Sequence, residues 1–217
     1  IFLAGEAPGL FYGYVTQGIV QKEDITENGI KYIKQDGSVG YYQTVNKTTP
    51  VAGDVKYVDR NGDGVVDDND RDIIGNPNPD FTYGFQTKVS WKSLSLSASF
   101  NGVQGRDILN VGNRYNNTPG TKSNNVTRKA FQNMWTDENP SNLYPKSTFV
   151  VQNMVMDRYV EDGSYLRCSD ITLSYVLPAK WTNKIGIKNT SVYASVKNAF
   201  VITDYSGYDP EVNSFAF

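Results

Sequence analysis

The sequence predicts an all-β protein, and three observations carry that prediction. Apolar and polar residues alternate for nearly twenty positions between Phe81 and Phe100, the period of extended strands. Fifteen Tyr, ten Phe and 19 Gly in 217 residues, with abundant Asn, Ser and Thr, suit strands joined by polar loops. No apolar run is long enough for a membrane helix.

The alternating stretch resolves into a hairpin. Phe81, Tyr83, Phe85, Val89 and Trp91 share one parity, and Thr82, Gly84, Gln86, Lys88 and Ser90 take the other. Beyond a turn at Lys92-Ser93, Leu94, Leu96, Ala98 and Phe100 alternate with Ser95, Ser97 and Ser99. A two-residue turn sets Trp91 opposite Leu94 and Val89 opposite Leu96, which makes one face greasy and the other hydrophilic. Lys-Ser is an unfavoured pair for such a turn, so a slightly longer loop is the competing register. Two architectures fit this pattern. In a soluble sandwich the apolar face covers a core; in a transmembrane barrel it meets lipid and the Ser/Lys/Gln face meets a wet lumen, with strands of about 9–11 residues.

Ahead of the hairpin, residues 9–20 read as one strand punctuated by Gly, and residues 21–28 as one or two helical turns stopped by Gly29. Residues 31–49 are polar and turn-rich, and read as an exposed excursion. The most specific local motif follows at residues 59–70. Asp59, Asn61 and Asp63 supply side-chain oxygens at positions 1, 3 and 5, Gly64 stands at 6, Val65 offers a carbonyl at 7, and Asp67 and Asp70 stand at 9 and 12. This is the spacing of the twelve-residue Ca²⁺ loop, with Asp in place of Glu at the last position. Gly75, Pro77 and Pro79 exclude a flanking helix, so no EF-hand is predicted. The competing reading is a turn whose Asx side chains cap backbone amides without an ion.

Behind the hairpin, residues 102–157 form a long stretch with one short helix expected near 125–135, carrying Phe131, Met134 and Trp135 along one side. A stretch of this length usually signals function or disorder. Residues 158–177 return to strand, with Ile171, Leu173, Tyr175 and Leu177 on one parity, ended by Pro178. Glu161-Asp162 point to opposite faces of a strand, which argues against a catalytic pair. After the connection at 178–189, Val192, Ala194, Val196, Phe200 and Ile202 supply another apolar parity, interrupted by Asn198. Sequons at Asn46, Asn116, Asn125 and Asn189 are given no role.

Composition removes several function classes. A net charge of −2 gives no basic footprint for nucleic acid. The single cysteine, Cys168, forbids an intrachain disulfide, and the absence of His removes the commonest metal ligand and general base. With no G-x-S-x-G, no phosphate-cradling Gly loop and no convincing carboxylate pair, the residues do not read as an enzyme.

The run PVAGDVKYVDRNGDGVVDDNDRDIIGNPNPDFTYGF resembles the SusC/RagA family of TonB-linked outer-membrane transporters. So do FNGVQGRDILN, WTDENPS, YVEDGSYLRCSDITLSYVLP and VKNAFVITDYSGYDPEV, in the same order, and FYGYVTQGIVQKEDI fits the segment ahead of the calcium-type loop. Cys168 stands where an aliphatic residue is usual. The resemblance implies a transmembrane antiparallel barrel of 22 strands closed around a plug. Residues 1–217 would supply its C-terminal portion with long extracellular loops, the plug and final strand being absent. It implies a bacterial outer-membrane location and TonB-dependent uptake of a large nutrient, an oligosaccharide or peptide, beneath a SusD-like surface lipoprotein. The partners implied are that lipoprotein, TonB, the substrate and outer-membrane lipid. The alternative is a soluble, Ca²⁺-stabilised β-module for adhesion or glycan binding.

Overall fold

The computed structural model describes residues 4–118, 125–147, 154–183, 186–187 and 190–211. Within them the chain divides into two units. The sequon at Asn189 and the end of the chain after Glu211 lie outside the described residues.

The first unit takes in the described residues of Ile1–Pro77 and Ile108–Glu161. Its strands are short: β1 (Phe11–Gly13), β2 (Thr16–Ile19), β3 (Ile25–Thr26), β4 (Gly29–Ile33), β5 (Val39–Tyr42), β6 (Thr44–Val45), β7 (Val55–Tyr57), β8 (Val65–Val66) and β9 (Asp72–Gly75). They pair as β1–β9, β2–β7, β3–β4–β5 and, in parallel, β6–β8. The single strand expected over residues 9–20 is two strands. Between them Tyr14 leaves the line, its N–H donating to the Val155 carbonyl and its own carbonyl accepting from Asp157 N–H. The helical turns expected at 21–28 shrink to one 3-10 turn, Lys22–Asp24, because a hairpin through Thr26 and Gly29 follows at once.

The reading of residues 31–49 as an exposed excursion is corrected. β4 and β5 pair Ile30 with Tyr42 and Tyr32 with Gly40, and Ile30, Tyr32, Gly40 and Tyr42 are buried while Lys31, Ile33, Val39 and Tyr41 face out. The period of two was present, but polar neighbours and a Gly diluted it. Gly40 is needed there, since a Cβ would lie 2.4 Å from the Tyr32 ring. Ile30, Tyr32 and Tyr42 join Tyr14, Ile19, Val20, Val45, Val55, Tyr57, Val66, Trp135, Met154, Met156 and Tyr159 in one core.

Two short helices complete the unit: α1 (Val111–Asn116) and α2 (Arg128–Asn133). Thr127 caps α2 by accepting from Ala130 N–H, which satisfies one of the free amides of a first turn. The helix expected near 125–135 is thus present but ends at Asn133. Phe131 consequently faces solvent while Trp135 is buried, its Nε1–H donating to Gln21 Oε1 at 3.0 Å; they do not share a side.

The second unit takes in the described residues of Asn78–Asp107 and Asp162–Asn213. Its elements include β10 (Phe81–Trp91) and β11 (Leu94–Gln104). They continue with β14 (Tyr165–Val176), a turn of helix α3 (Ala179–Thr182) and β15 (Ser191–Thr203); β12 (Asp107–Leu109) follows β11 in the chain and pairs with β13 (Val160–Asp162), which precedes β14. The four long strands form an antiparallel sheet in the order β10–β11–β14–β15. The hairpin has the expected two-residue turn: Trp91 stands opposite Leu94 and Val89 opposite Leu96. Lys92 supplies the positive φ, 54°, that such a turn demands and that Gly or Asn usually provides.

A β-bulge at Ser169 decides which residues share a face. Ser99 pairs with Asp170 but Phe100 pairs with Cys168, so Ser169 is the extra residue. Parity changes there: Leu166 and Cys168 join Ile171, Leu173 and Tyr175 on the apolar face, and Arg167 goes to the polar one. The matching irregularity in β15 brackets Asn198, whose φ is +50°, and brings Phe200 opposite Cys168. This is the interruption visible in the sequence.

Candidate functional site

Two features are candidates, and the first is the apolar face of the second unit's sheet. Its rows run across all four strands, as in Val89, Leu96, Leu173 and Ala194, or Trp91, Leu94, Tyr175 and Val192. Phe85 stacks on Phe100 with ring centroids 4.7 Å apart, and Phe100 meets Phe200 at 6.4 Å. Between those two rings Cys168 is completely buried, a small side chain over which two aromatic neighbours close. Most of the face is uncovered by the described residues: Phe85, Val89, Leu96, Leu173, Val196, Phe200 and Ile202 are all exposed, Leu96 by 46%. Leu96 is therefore not a core residue, as the sandwich reading requires. Monomeric soluble proteins rarely leave so continuous an apolar patch open. The opposite face carries Gln86, Lys88, Ser90, Ser95, Ser97 and Thr172, with Ser90 and Ser95 hydroxyls 2.9 Å apart.

At one end of this sheet lie the Lys92-Ser93 turn and the α3 connection; at the other, Asp80 N–H donates to the Gln104 carbonyl and Gly105 packs on the Asp80 carboxylate. That end is also braced by Arg167, which donates to Asp209 at 2.6 Å and to Glu211 at 3.1 Å, while Asn101 donates to Glu211. No spacing rule in the sequence links residues 42 and 44 positions apart; the path of the chain after β15 brings them together.

The second candidate is the 59–70 loop of the first unit. All six expected ligands lie in it, but at different depths: Asp59 is 2% and Asp70 0% exposed, Asn61 and Asp63 face solvent, and Val65 and Asp67 are half-buried. Asp59 accepts from Gly62 and Gly64 N–H at 2.6 and 2.9 Å. Asp70 accepts from Arg60, Asn61 and Asp67 N–H. Asn61 and Asp63 each accept from the amide two residues on, and Asp67 caps the Asp68–Asp70 turn through Asn69 N–H. Gly62 and Gly64 have φ of +77° and +85°, the left-handed backbone that lets the chain curl around Asp59. Burial pushes the Asp59 carboxyl above its ordinary value; the Gly64 and Gly62 amides pull it back, and Asp70 and Asp63 push it up again.

The donor chemistry fits a hard cation, since every group offered is an oxygen. In this geometry amide protons hold the buried carboxylates, and among the described residues no three acidic groups are gathered about a common point. Asp70, the short residue at the final position, reaches the amides of Arg60 and Asn61.

Comparison with known proteins follows the same lines. No family model matches the sequence. The chain is 33% identical over 214 residues, 98% of its length, to TonB-dependent receptor P3 of Formosa agariphila, of which it spans 19%. To TonB-dependent receptor SusC of Bacteroides thetaiotaomicron it is 34% identical over 165 residues, 73% of the chain and 15% of that protein. Its fold matches the RagAB peptide importer in the closed-closed state with a TM-score of 0.64 at 23% identity, covering 97% of this chain and 22% of the other. The open-open state matches with a TM-score of 0.62 at 25% identity over 93% of this chain and 19% of the other. The relatives are receptors and importers, in keeping with a chain whose residues do not read as an enzyme. With the long-stranded sheet, its largely uncovered apolar face and this similarity along nearly the whole chain, the protein belongs to the SusC/RagA family of TonB-dependent receptors, and it spans 15 to 22% of the curated relatives it matches.

Proposed function

We propose that the chain is the C-terminal part of a bacterial outer-membrane barrel that takes up a large nutrient, an oligosaccharide or peptide, by TonB-dependent transport. A SusD-like surface lipoprotein would act as its lid. The observation that carries the reading is the sheet β10–β11–β14–β15, whose strands of 11 to 13 residues match a bilayer and whose apolar face is uncovered along its length. In this reading the apolar face meets lipid, the Gln86, Lys88 and Ser97 face lines the lumen, and the free edges of β10 and β15 pair with neighbouring strands of the barrel. An open edge in lipid leaves amides and carbonyls unpaired, which hydrocarbon does not tolerate. The short Lys92-Ser93 and α3 connections lie on the periplasmic side and the 102–157 excursion outside, as barrels of this kind distribute short turns and long loops.

The test is uptake by cells expressing the full-length receptor, with labelled oligosaccharides and peptides as probes and isogenic strains lacking TonB or the lipoprotein. Accumulation that depends on both supports the reading. A full-length protein recovered in buffer without detergent refutes it, and favours the soluble module.

For the 59–70 loop we propose a structural Ca²⁺ held by Asp59, Asn61, Asp63, the Val65 carbonyl, Asp67 and Asp70. In favour stand the oxygen-only donor set and two buried carboxylates, Asp59 and Asp70, that no ion pair of the described residues reaches. A bound cation would offset the mutual repulsion of this cluster, and would require Asp63 and Asp67 to turn inward from the surface. Its contribution would be to stiffen the approach to β9 and β10, with no part in chemistry.

A further inference from the structure

In the first unit α1, α2 and the Asp157–Tyr159 turn surround a cavity of about 200 Å³, walled by Asn117, Lys129, Tyr144, Arg158 and Tyr159 among others. Its polar groups are unevenly matched. Arg158 donates through Nη2 to the Leu143 carbonyl, but its Nη1 is buried and has no hydrogen-bond partner among the described residues. Lys129 makes no ion pair with any described residue. The side-chain oxygen of Asn117 accepts from Thr127 Oγ1 at 2.6 Å, which leaves its amide N–H₂ to donate elsewhere. No carboxylate lines the cavity among the described residues; Glu161 is engaged by the side-chain amides of Asn110 and Asn113 at 2.9 and 2.8 Å.

Two cationic residues and an amide donor thus line a space to which no carboxylate of the described residues contributes. A buried guanidinium nitrogen without an acceptor is an unfavourable arrangement, and it is relieved by an anion that brings two planar oxygens. The volume lies below the roughly 300–1,000 Å³ that enclose a whole small-molecule ligand, so the cavity takes one terminal group and not an entire oligomer. Tyr144 and Tyr159 give that group an aromatic wall.

We propose that this cavity is a carboxylate subsite, recognising an acidic terminal residue of the nutrient: a uronic acid of a glycan or the free C-terminus of a peptide. The inference rests on the import reading for the source of its ligand, so it is tested by binding alone, in detergent-solubilised full-length receptor without TonB. The probes are galacturonate against galactose, and an N-acetylated dipeptide against its C-terminal amide. The expected result is binding of the acid and not the neutral member of at least one pair, with a Kd on the order of 1 mM, weakening as salt is raised. The responsive pair identifies the source. Lys129→Gln, on the surface, should weaken binding about two- to fivefold, the range of a partly exposed ion pair, and Arg158→Gln should abolish it. Arg158 also holds the Leu143 carbonyl, so Lys129→Gln carries the test if Arg158→Gln fails to fold. Equal affinity for acid and neutral probes, no binding of either acid, or unchanged affinity in Lys129→Gln overturns the subsite. Uptake that persists in such a case leaves the transport reading standing.

Discussion

Arg placed along β11 is the sharpest test of which face meets lipid. The strand has 11 residues, Leu94–Gln104, so its ends are about 34 Å apart at roughly 3.4 Å per residue. Tilted by about 40°, it rises about 26 Å, the height of the apolar band of an outer-membrane barrel. Its centre falls at Ser99. On the apolar face Ala98 therefore lies about 3 Å from the midplane, Leu96 about 8 Å and Leu94 about 13 Å, by the same rise and tilt. Ala98 stands between Thr87 and Ile171 and is small, so Ala98→Arg removes little packing and isolates the transfer of charge. It should destabilise by about 2–4 kcal/mol, Leu94→Arg by about 0–1 beyond its lost packing, and Ser97→Arg, on the opposite face between Lys88 and Thr172, by little. Guanidinium titration of the full-length receptor in lipid vesicles, followed by tryptophan fluorescence, reads all three. Equal effects for Ala98→Arg and Ser97→Arg, or a larger effect for Leu94→Arg than for Ala98→Arg once the loss in Leu94→Ala is subtracted, would refute the assignment of faces.

Three further outcomes follow from the geometry. Asp63→Ala should lower the thermal midpoint in the presence of Ca²⁺ and remove any effect of a chelator, leaving strand content unchanged by circular dichroism; if chelator and substitution both do nothing, the loop is an Asx-capped turn. A Cβ on Gly102 would sit 2.3 Å from the Tyr83 ring and 2.7 Å from the Tyr165 carbonyl, so Gly102→Val should destabilise by about 1–3 kcal/mol, measured in the same titration, and Gly84→Ala, with its nearest neighbour at 3.4 Å, should be milder. Burial, with Asp59 and Asp70 adding to it, pushes the Tyr32 hydroxyl to about 12, and that hydroxyl donates to the Asp59 carbonyl at 2.6 Å. Its folded value exceeds its ordinary value of 10.0, so the stability it contributes is complete below pH 10 and is lost as pH rises toward 12; Tyr32→Phe should remove one late-ionising phenol from the absorbance titration, and a normal ionisation near pH 10 would contradict the burial.

The four long strands of the second unit, the hairpin register and the membrane-type patterning were legible in the residues themselves, because a period of two over about ten residues is a local property that each strand carries without its neighbours. The parity change at Ser169 was not legible. Residues 166–177 contain no Gly or Pro to mark a bulge, and the extra residue becomes visible only when Phe100 is seen to pair with Cys168 and not with Ser169. The first unit was the larger omission. Ile30, Tyr32 and Tyr42 belong to strands of four and five residues, too short for periodicity to stand out among Lys, Gln, Asp and Ser.

For the 59–70 loop, sequence determined which oxygens are present and at what spacing, and the two glycines that let the chain curl. Tertiary structure decided their depths: Asp59 and Asp70 face inward, next to Tyr32 and the loop's own amides, while Asn61 and Asp63 stay in water. Spacing along a chain sets what a loop is able to gather, but burial against a core built from residues 14 to 159 sets which side chains turn in. The same division holds for the cavity beside α1. Nothing in the sequence joins Asn117, Lys129 and Arg158, since their meeting depends on the Thr127 hydroxyl bridging to Asn117 and on Asp157 docking against Thr16, contacts between residues up to 141 positions apart.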